Sequence, residues 1–344
     1  MKTTPLASAI LVVLLATPAA AQETRPSVRF ERQIEAPELS GPVPGPSTPP
    51  SERSRAVDAV GRTDPGAGAA YAAFQRGYYL TALRLALPRA ETGDPAAQTL
   101  VAEIYWNGHG VARDAVRAAE FYRFAADGGN REAQFALANI LLRGAPGVAT
   151  DAKEAEAFMR RAAKAGHPRA QFNLGQLITA ARPTWAGFAR ALPWYEKAAA
   201  EGVPDAHYAL SQIHAEAKGV AVNDEAKALF HLREAARGGL DTAQAELGIW
   251  LANGRGAKKD EKAALGWFRR AAAKGNVVAQ NRLARMHALG LGTARDMIKA
   301  GAWHVIARRA GFTDTDMDRR FDALSEIDKK RAIEAANQIT RRLG

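Results

Sequence analysis

The stretch LDTAQAELGIWLANGRGAKKDEKAALGWFRRAAAKG, residues 240–275, reads as two helices joined by a turn, and its layout recurs along most of the chain. Leu247-Gly248 lies in the first helical segment. Gly254-Arg255-Gly256 then breaks that segment, since glycine supplies the backbone freedom a tight turn requires. Asp260 stands where an N-cap belongs. The second segment carries Trp267-Phe268 and Ala271-Ala272 and closes at Gly275. Residues 94–129 repeat this plan. Ala97, Val101, Ile104 and Tyr105 share one helix face, and Asn107-Gly108-His109-Gly110 makes the turn. Asp114 caps a second helix from Ala115 to about Gly128, with Phe121, Tyr122 and Ala125-Ala126 on it and Gly128-Gly129 at its end.

Three columns share this period. The closing glycines are Gly93, Gly129, Gly166, Gly202, Gly239, Gly275 and Gly311, spaced by 36 or 37 residues. A small residue recurs at Ala102, Ala138, Gly175, Ser211, Gly248 and Ala284, and immediately before it stands Val101, Leu137, Leu174, Leu210, Leu247 or Leu283. Self-similarity of this length marks a repeat array. One helix pair cannot bury its own apolar face, so neighbours must cover it and the chain becomes an all-α solenoid. Alanine or glycine at the helix crossings allows close backbone approach, with the aromatic of the second helix filling the remaining space.

Outward from the array, Ala67 to Gly93 reads as an opening helix pair, so the repeat domain covers residues 67–311 with six repeats after that pair. Residues 312–344 form a C-terminal capping region. There Ser325 and Asp328 make a capping box, and Ile327, Ile333, Ala336, Ile339 and Leu343 give one amphipathic helix that closes the open end. Toward the N-terminus, residues 22–66 hold seven prolines between Pro26 and Pro50 and read as an extended linker without a core of its own. Residues 1–21 read as a signal peptide: Lys2, a short apolar run from Ile10 to Ala16, and cleavage after Ala21 in Ala19-Ala20-Ala21. That run falls short of the ~20 apolar residues a membrane span needs. The mature chain is therefore expected to be soluble in the periplasm or outside the cell.

These columns resemble the Sel-one-like repeat (SLR) family, a branch of the tetratricopeptide-like helical repeats. Its pattern of alanine, leucine-glycine, tyrosine, a G-x-G-V turn, aspartate, an aromatic pair, a double alanine and a closing glycine is carried by Ala243-Gln244, Leu247-Gly248, Gly254-Arg255-Gly256, Asp260, Trp267-Phe268, Ala271-Ala272 and Gly275. It is carried again by Ala97, Tyr105, Gly108-His109-Gly110-Val111, Asp114, Phe121-Tyr122, Ala125-Ala126 and Gly129. The resemblance implies a right-handed α-superhelix whose concave face is lined by the first helix of each pair. It also implies protein-interaction or adaptor work, often in envelope signalling or polysaccharide export. Some relatives staple each repeat with a disulfide. This chain has no cysteine and departs from them entirely.

The residues two before the leucine column include Phe135, Phe172 and Tyr208, an aromatic stripe across three repeats. Glu103, Asn139, Gln176 and Gln212, two after that column, stand beside it as hydrogen-bonding groups. Such a row suits an extended or helical partner peptide, although an aromatic there also serves inter-repeat packing. The third repeat departs from the plan, reading Ala180 to Phe188 without a glycine-x-glycine turn and placing Pro193 inside the expected second helix, where it should kink the helix or cost ~3 kcal/mol. Trp185 and Phe188 are expected on a remodelled loop, either as a contact site or tucked into the neighbouring repeat.

Enzyme signals are missing: there is no G-x-S-x-G elbow, no H-E-x-x-H and no Walker-type loop. Asp114, Asp224, Asp260 and Asp296 recur one per repeat and read as helix caps, since paired catalytic carboxylates are not periodic. His207 and His214 lie seven residues apart on one helix face, ~10 Å by rise and too far for one ion. His214 and His231, in place of the family tyrosine and tryptophan, read as core substitutes, and no metal or cofactor is expected. The formal charge of +11 would raise nucleic acid as a partner in the cytoplasm, but export argues against it. The expectation is a non-enzymatic envelope scaffold or regulator that holds a segment of another exported or membrane protein on its concave face. The alternative is a binder of anionic envelope polymer, acidic polysaccharide or peptidoglycan, through dispersed arginines.

Overall fold

A computed structural model describes residues 67–343. The expected signal peptide and linker, residues 1–66, lie outside the described residues. The chain divides into two units, Met1–Ala69 and Ala70–Gly344, and the helical array is the second.

The opening pair is α1 (Ala67–Gln75) and α2 (Tyr79–Glu91). Six repeats follow: α3 (Pro95–Asn107) with α4 (Ala115–Asp127), α5 (Arg131–Arg143) with α6 (Ala152–Lys164), α7 (Pro168–Ala181) with α8 (Trp185–Ala200), α9 (Pro204–Glu216) with α10 (Glu225–Arg237), α11 (Asp241–Asn253) with α12 (Glu261–Ala273), and α13 (Val277–Leu289) with α14 (Met297–Arg309). The chain then forms α15 (Thr315–Asp322) and α16 (Glu326–Leu343). Among the described residues no strand is present, only an isolated bridge between Ala145 and Val148. In each of the six repeats the two helices pack most heavily on each other, and the second then packs on the first helix of the next repeat. That nearest-neighbour pattern makes the array an all-α solenoid.

The local chemistry follows the repeat. The Asp114 carboxylate accepts the Arg117 N–H at 2.9 Å, and Asp151, Asp224, Asp260 and Asp296 cap their helices in the same way. In the turn, Gly292 has φ +64, and a Cβ there would stand 2.4 Å from the Glu261 carbonyl oxygen of the preceding repeat. Glycine at this position therefore sets how closely one repeat seats on the last. The whole leucine column is buried, from Val101 to Leu283. The small column explains itself at Gly248, where a Cβ would meet the Phe268 ring at 2.7 Å.

The third repeat keeps its length by exchanging loop for helix. Seven residues separate α3 from α4, whereas only Arg182, Pro183 and Thr184 separate α7 from α8. α8 gains its extra turn at the N-terminus, where Thr184 Oγ1 accepts the Gly187 N–H at 3.3 Å. Trp185 and Phe188 thus belong to the first turn of α8 and not to a loop. α8 runs without a break through Pro193, whose ring faces solvent on the side away from the buried Ala191 and Tyr195.

The C-terminal region also differs from expectation, with two helices in place of one. α16 lies mainly on α14. Ser325 Oγ accepts the Asp328 N–H at 3.2 Å and donates to its carboxylate at 2.9 Å, so Ser325 caps α16, but the expected return bond from its backbone N–H to Asp328 is replaced by a side-chain one. The buried face of α16 is made by Ala332 and Ala336, while Ile327 and Ile333 are exposed. Close approach decides this: a Cβ at Gly301 of α14 would come within 2.9 Å of Ala332 Cβ, leaving room only for small side chains at the crossing.

Candidate functional site

The first helices α3, α5, α7, α9, α11 and α13 carry the row singled out from the sequence. Phe135 is half-buried and stacks on the His167 ring at 4.2 Å, His167 being the N-cap of α7. Phe172 is half-buried against Tyr195 at 5.8 Å. The Tyr208 hydroxyl donates to Glu246 at 2.8 Å, and the Gln212 amide donates to the same carboxylate at 3.0 Å. Asn139 donates to the Phe135 carbonyl of its own helix at 2.8 Å. Glu103 is half-buried, and burial raises its carboxyl above the ordinary range against the pull of His109. Gln176 is half-buried, and its side-chain amide has no hydrogen-bond partner among the described residues. The row therefore does two jobs: Tyr208 and Gln212 knit repeats together, whereas Phe135, Phe172 and Gln176 keep part of their surface open.

At the remodelled repeat, Trp185 is 60% exposed and its indole N–H donates to the Val220 carbonyl at 3.3 Å. Phe188 is half-buried, with Lys218 Nζ over its ring at 5.7 Å. Both side chains thus lean on the turn of the next repeat, and only Trp185 offers a large exposed face.

The column three before the leucines carries structural residues that the sequence reading passed over. Gln98, Gln134, Gln171, Gln244 and Gln280 are all buried. Each donates its amide to a carbonyl at the end of the preceding second helix: Ala90, Ala126, Ala163, Ala236 and Ala272. The signal was present, because the five glutamines recur in phase with the other columns. The exception is His207 in the fourth repeat.

His207 is drawn into a cluster. Its Nδ1 lies 3.0 Å from His231 Nδ1, and the His214 ring stacks parallel to His231 at 5.8 Å. Helix rise keeps His207 and His214 apart, but His231 enters between them from the paired helix α10. Burial, reinforced by the other two imidazoles and Lys227, pushes His231 down to about 4. Burial lowers His207 and His214 as well. Among the described residues no three side chains are arranged to hold a metal ion.

At the end of the array, Asp314 repeats the arrangement seen at Glu246. It accepts from Asn281 at 2.7 Å and from both arms of the Arg285 guanidinium at 2.7 and 2.8 Å. Burial alone would raise the Asp314 carboxyl, yet Arg285, Asn281 and the Met317 N–H together hold it far below the usual carboxylate range.

Stacked helix pairs, periodic caps and an interior of alanine, leucine and glutamine define a helical-repeat protein with extended faces. The chain belongs to the Sel1 repeat family, whose repeat matches residues 95–130, 131–167, 187–203, 204–240, 241–276 and 277–312. The shortened match in the third repeat coincides with the exchange of loop for helix. A protective antigen of uropathogenic Escherichia coli strains with an SLR fold is similar at 26% identity and a TM-score of 0.66, over 79% of this chain and 61% of the antigen. The chain thus spans less than two thirds of the antigen's length. A Sel1 repeat protein from Oxalobacter formigenes is similar at 30% identity and a TM-score of 0.62, over 71% of this chain and 100% of that one. No curated protein matches the chain. Sel1 repeat proteins are generally non-catalytic scaffolds for protein–protein interaction, and those of this kind are often exported. No helix among the described residues is long and apolar enough to cross a membrane.

Proposed function

We propose that this chain is an exported, non-enzymatic scaffold or regulator of the cell envelope. It holds a segment of another exported or membrane protein along the face made by its first helices. The observation that carries this reading is the half-open row of Phe135, Phe172 and Gln176 on successive repeats, flanked by the polar Asn139 and Gln212. Aromatic rings that are partly covered, and so already ordered, lose little freedom on binding, and the uncommitted Gln176 amide beside them can satisfy a partner's backbone. The anionic-polymer alternative draws less support. Many arginines already have partners, among them Arg123 with Glu154 at 2.5 Å, Arg161 with Asp127 at 3.0 Å and Arg255 over Trp250 at 4.0 Å.

Affinity capture of the tagged mature protein from an envelope fraction tests the choice. A specific protein should be retained in moderate salt and lost when Phe135 and Phe172 are both replaced by alanine in a variant that stays helical. Recovery of glycan released by salt, unchanged in that variant, would favour polymer binding, because exposed charges are screened within ~8 Å at physiological ionic strength.

A further inference from the structure

Glu246 and Arg282 occupy the same column, immediately before Leu247 and Leu283. Glu246 is served by Tyr208 and Gln212 from the preceding repeat. The two positions that should serve Arg282 are Ala245 and Ile249, which have no side-chain polar atom. Arg282 is accordingly half-buried with no hydrogen bond or ion pair among the described residues. Its carboxylate neighbours are already committed. Asp314 is held by Arg285 at 2.7 Å, and Glu261 is held by Lys259 at 2.6 Å. Burial and the adjacent Arg285 act against the charge on Arg282 and outweigh the pull of Asp314, which is bonded to Arg285 instead. A guanidinium does not relieve such a position by losing its proton. The local balance is one unmatched cation.

Arg282 sits between two open hollows. One, of about 460 Å³, is bordered by Asn281, Phe312 and Thr313. The other, of about 330 Å³, lies among α11, α12 and α13, where Ile249, Phe268, Met286 and Leu291 line it together with the paired Lys259 and Glu261 and with Arg285. A cation beside a cleft with an apolar side is complementary to a carboxylate carried next to an apolar side chain.

We infer that Arg282 is the anchor for an acidic side chain of the partner segment, with a neighbouring apolar residue of that segment entering the cleft lined by Ile249, Phe268, Met286 and Leu291. This rests on the scaffold reading and adds the chemistry of the partner: acidic and apolar residues close together in one peptide. An acidic polysaccharide matches the arginine but has nothing to fill the cleft.

Fluorescence anisotropy on the mature protein tests it with three labelled probes: a nonapeptide alternating Leu and Asp, its Leu/Asn counterpart, and an oligogalacturonate of equal charge. The Leu/Asp peptide should bind saturably and best. Arg282→Gln should weaken it at least ~10-fold, since a charge-assisted bond to a desolvated carboxylate is lost. Arg282→Lys should fall between, and the well-exposed Arg319→Gln should leave binding unchanged. Thermal melting gives a second readout. Arg282→Met should melt no lower than the parent, because an unmatched half-buried cation is replaced by a side chain that suits the cleft. Equal binding of the Leu/Asn peptide, tighter binding of the oligogalacturonate, no saturable binding, or a lower melting temperature for Arg282→Met would overturn the assignment. Loss of capture at Phe135 and Phe172 is read separately. If it fails while the Arg282 results hold, the aromatic row is wrong and the anchor stands.

Discussion

Acid should loosen the fourth repeat before the others, through His207, His214 and His231. The ordinary histidine value is 6.5, and in the folded chain His231 lies at about 4. The folded value is the lower one, so the unfolded chain takes up the proton first as pH falls. Stability is full above pH ~6.5 and declines toward pH ~4. Between pH 7 and pH 5 that gap corresponds to ~2 kcal/mol for a fully buried ring. His231 is only half-buried, and solvent screening reduces the figure to ~1 kcal/mol. Glu234 beside His207, and Asp224 and Glu196 beside His214, favour protonation, whereas Lys227 opposes it. The variant to make is His231→Phe, because Phe121 and Phe158 occupy the same column in other repeats. Urea unfolding followed by far-UV circular dichroism at pH 7 and pH 5 gives the loss of stability for each protein. Comparing the two cancels the general effect of acid on the remaining charges. The parent should lose ~1 kcal/mol more than the variant over that interval. Equal losses would show that the three rings do not act as a buried neutral cluster.

Three further substitutions probe the repeat geometry. Ala217 is the non-glycine residue with positive φ among the described residues, at +53, where other repeats place Gly108, Gly254 or Gly290. Ala217→Gly should raise stability by ~1 kcal/mol in urea unfolding, since a left-handed backbone costs an L-residue about that much. Gly248→Ala should lower it by ~1–3 kcal/mol, because the added methyl meets the Phe268 ring in a fully buried crossing. Gln244→Leu removes a 3.0 Å bond to the Ala236 carbonyl and should cost ~1–3 kcal/mol, with faster amide exchange at the α10–α11 junction.

The architecture was legible because it is periodic. The leucine, small-residue and glycine columns mark buried contacts that each repeat makes again, and Asp114 and its equivalents cap helices wherever the period places them. Departures from the period were harder to read. In the third repeat the absent glycine turn looked like a remodelled loop, but the chain keeps its length by adding a helical turn in front of Phe188. At α16 the large apolar residues suggested the buried face, whereas crossing distance at Gly301 selected Ala332 and Ala336. The candidate row was found by register, yet its division into knitting and open residues depends on partners from adjacent repeats. Tyr208 is engaged because the next repeat offers Glu246. Arg282 is left unmatched because the repeat before it offers Ala245 and Ile249. His207, His214 and His231 stood out in the sequence, but their contact was not legible for the same reason, since spacing along α9 says nothing of a ring arriving from α10.

Site-specific photo-crosslinking in cells tests the central claim most directly. A photoreactive residue is placed in turn at Phe135, Phe172 and Gln176 on the first helices and at Glu156 and Arg160, whose side chains stay open to solvent on the second helix α6. The first set should crosslink to one and the same exported or membrane protein, with the second set silent. Crosslinks confined to Glu156 and Arg160, or none to protein from any first-helix position, would contradict a scaffold that binds along its first helices.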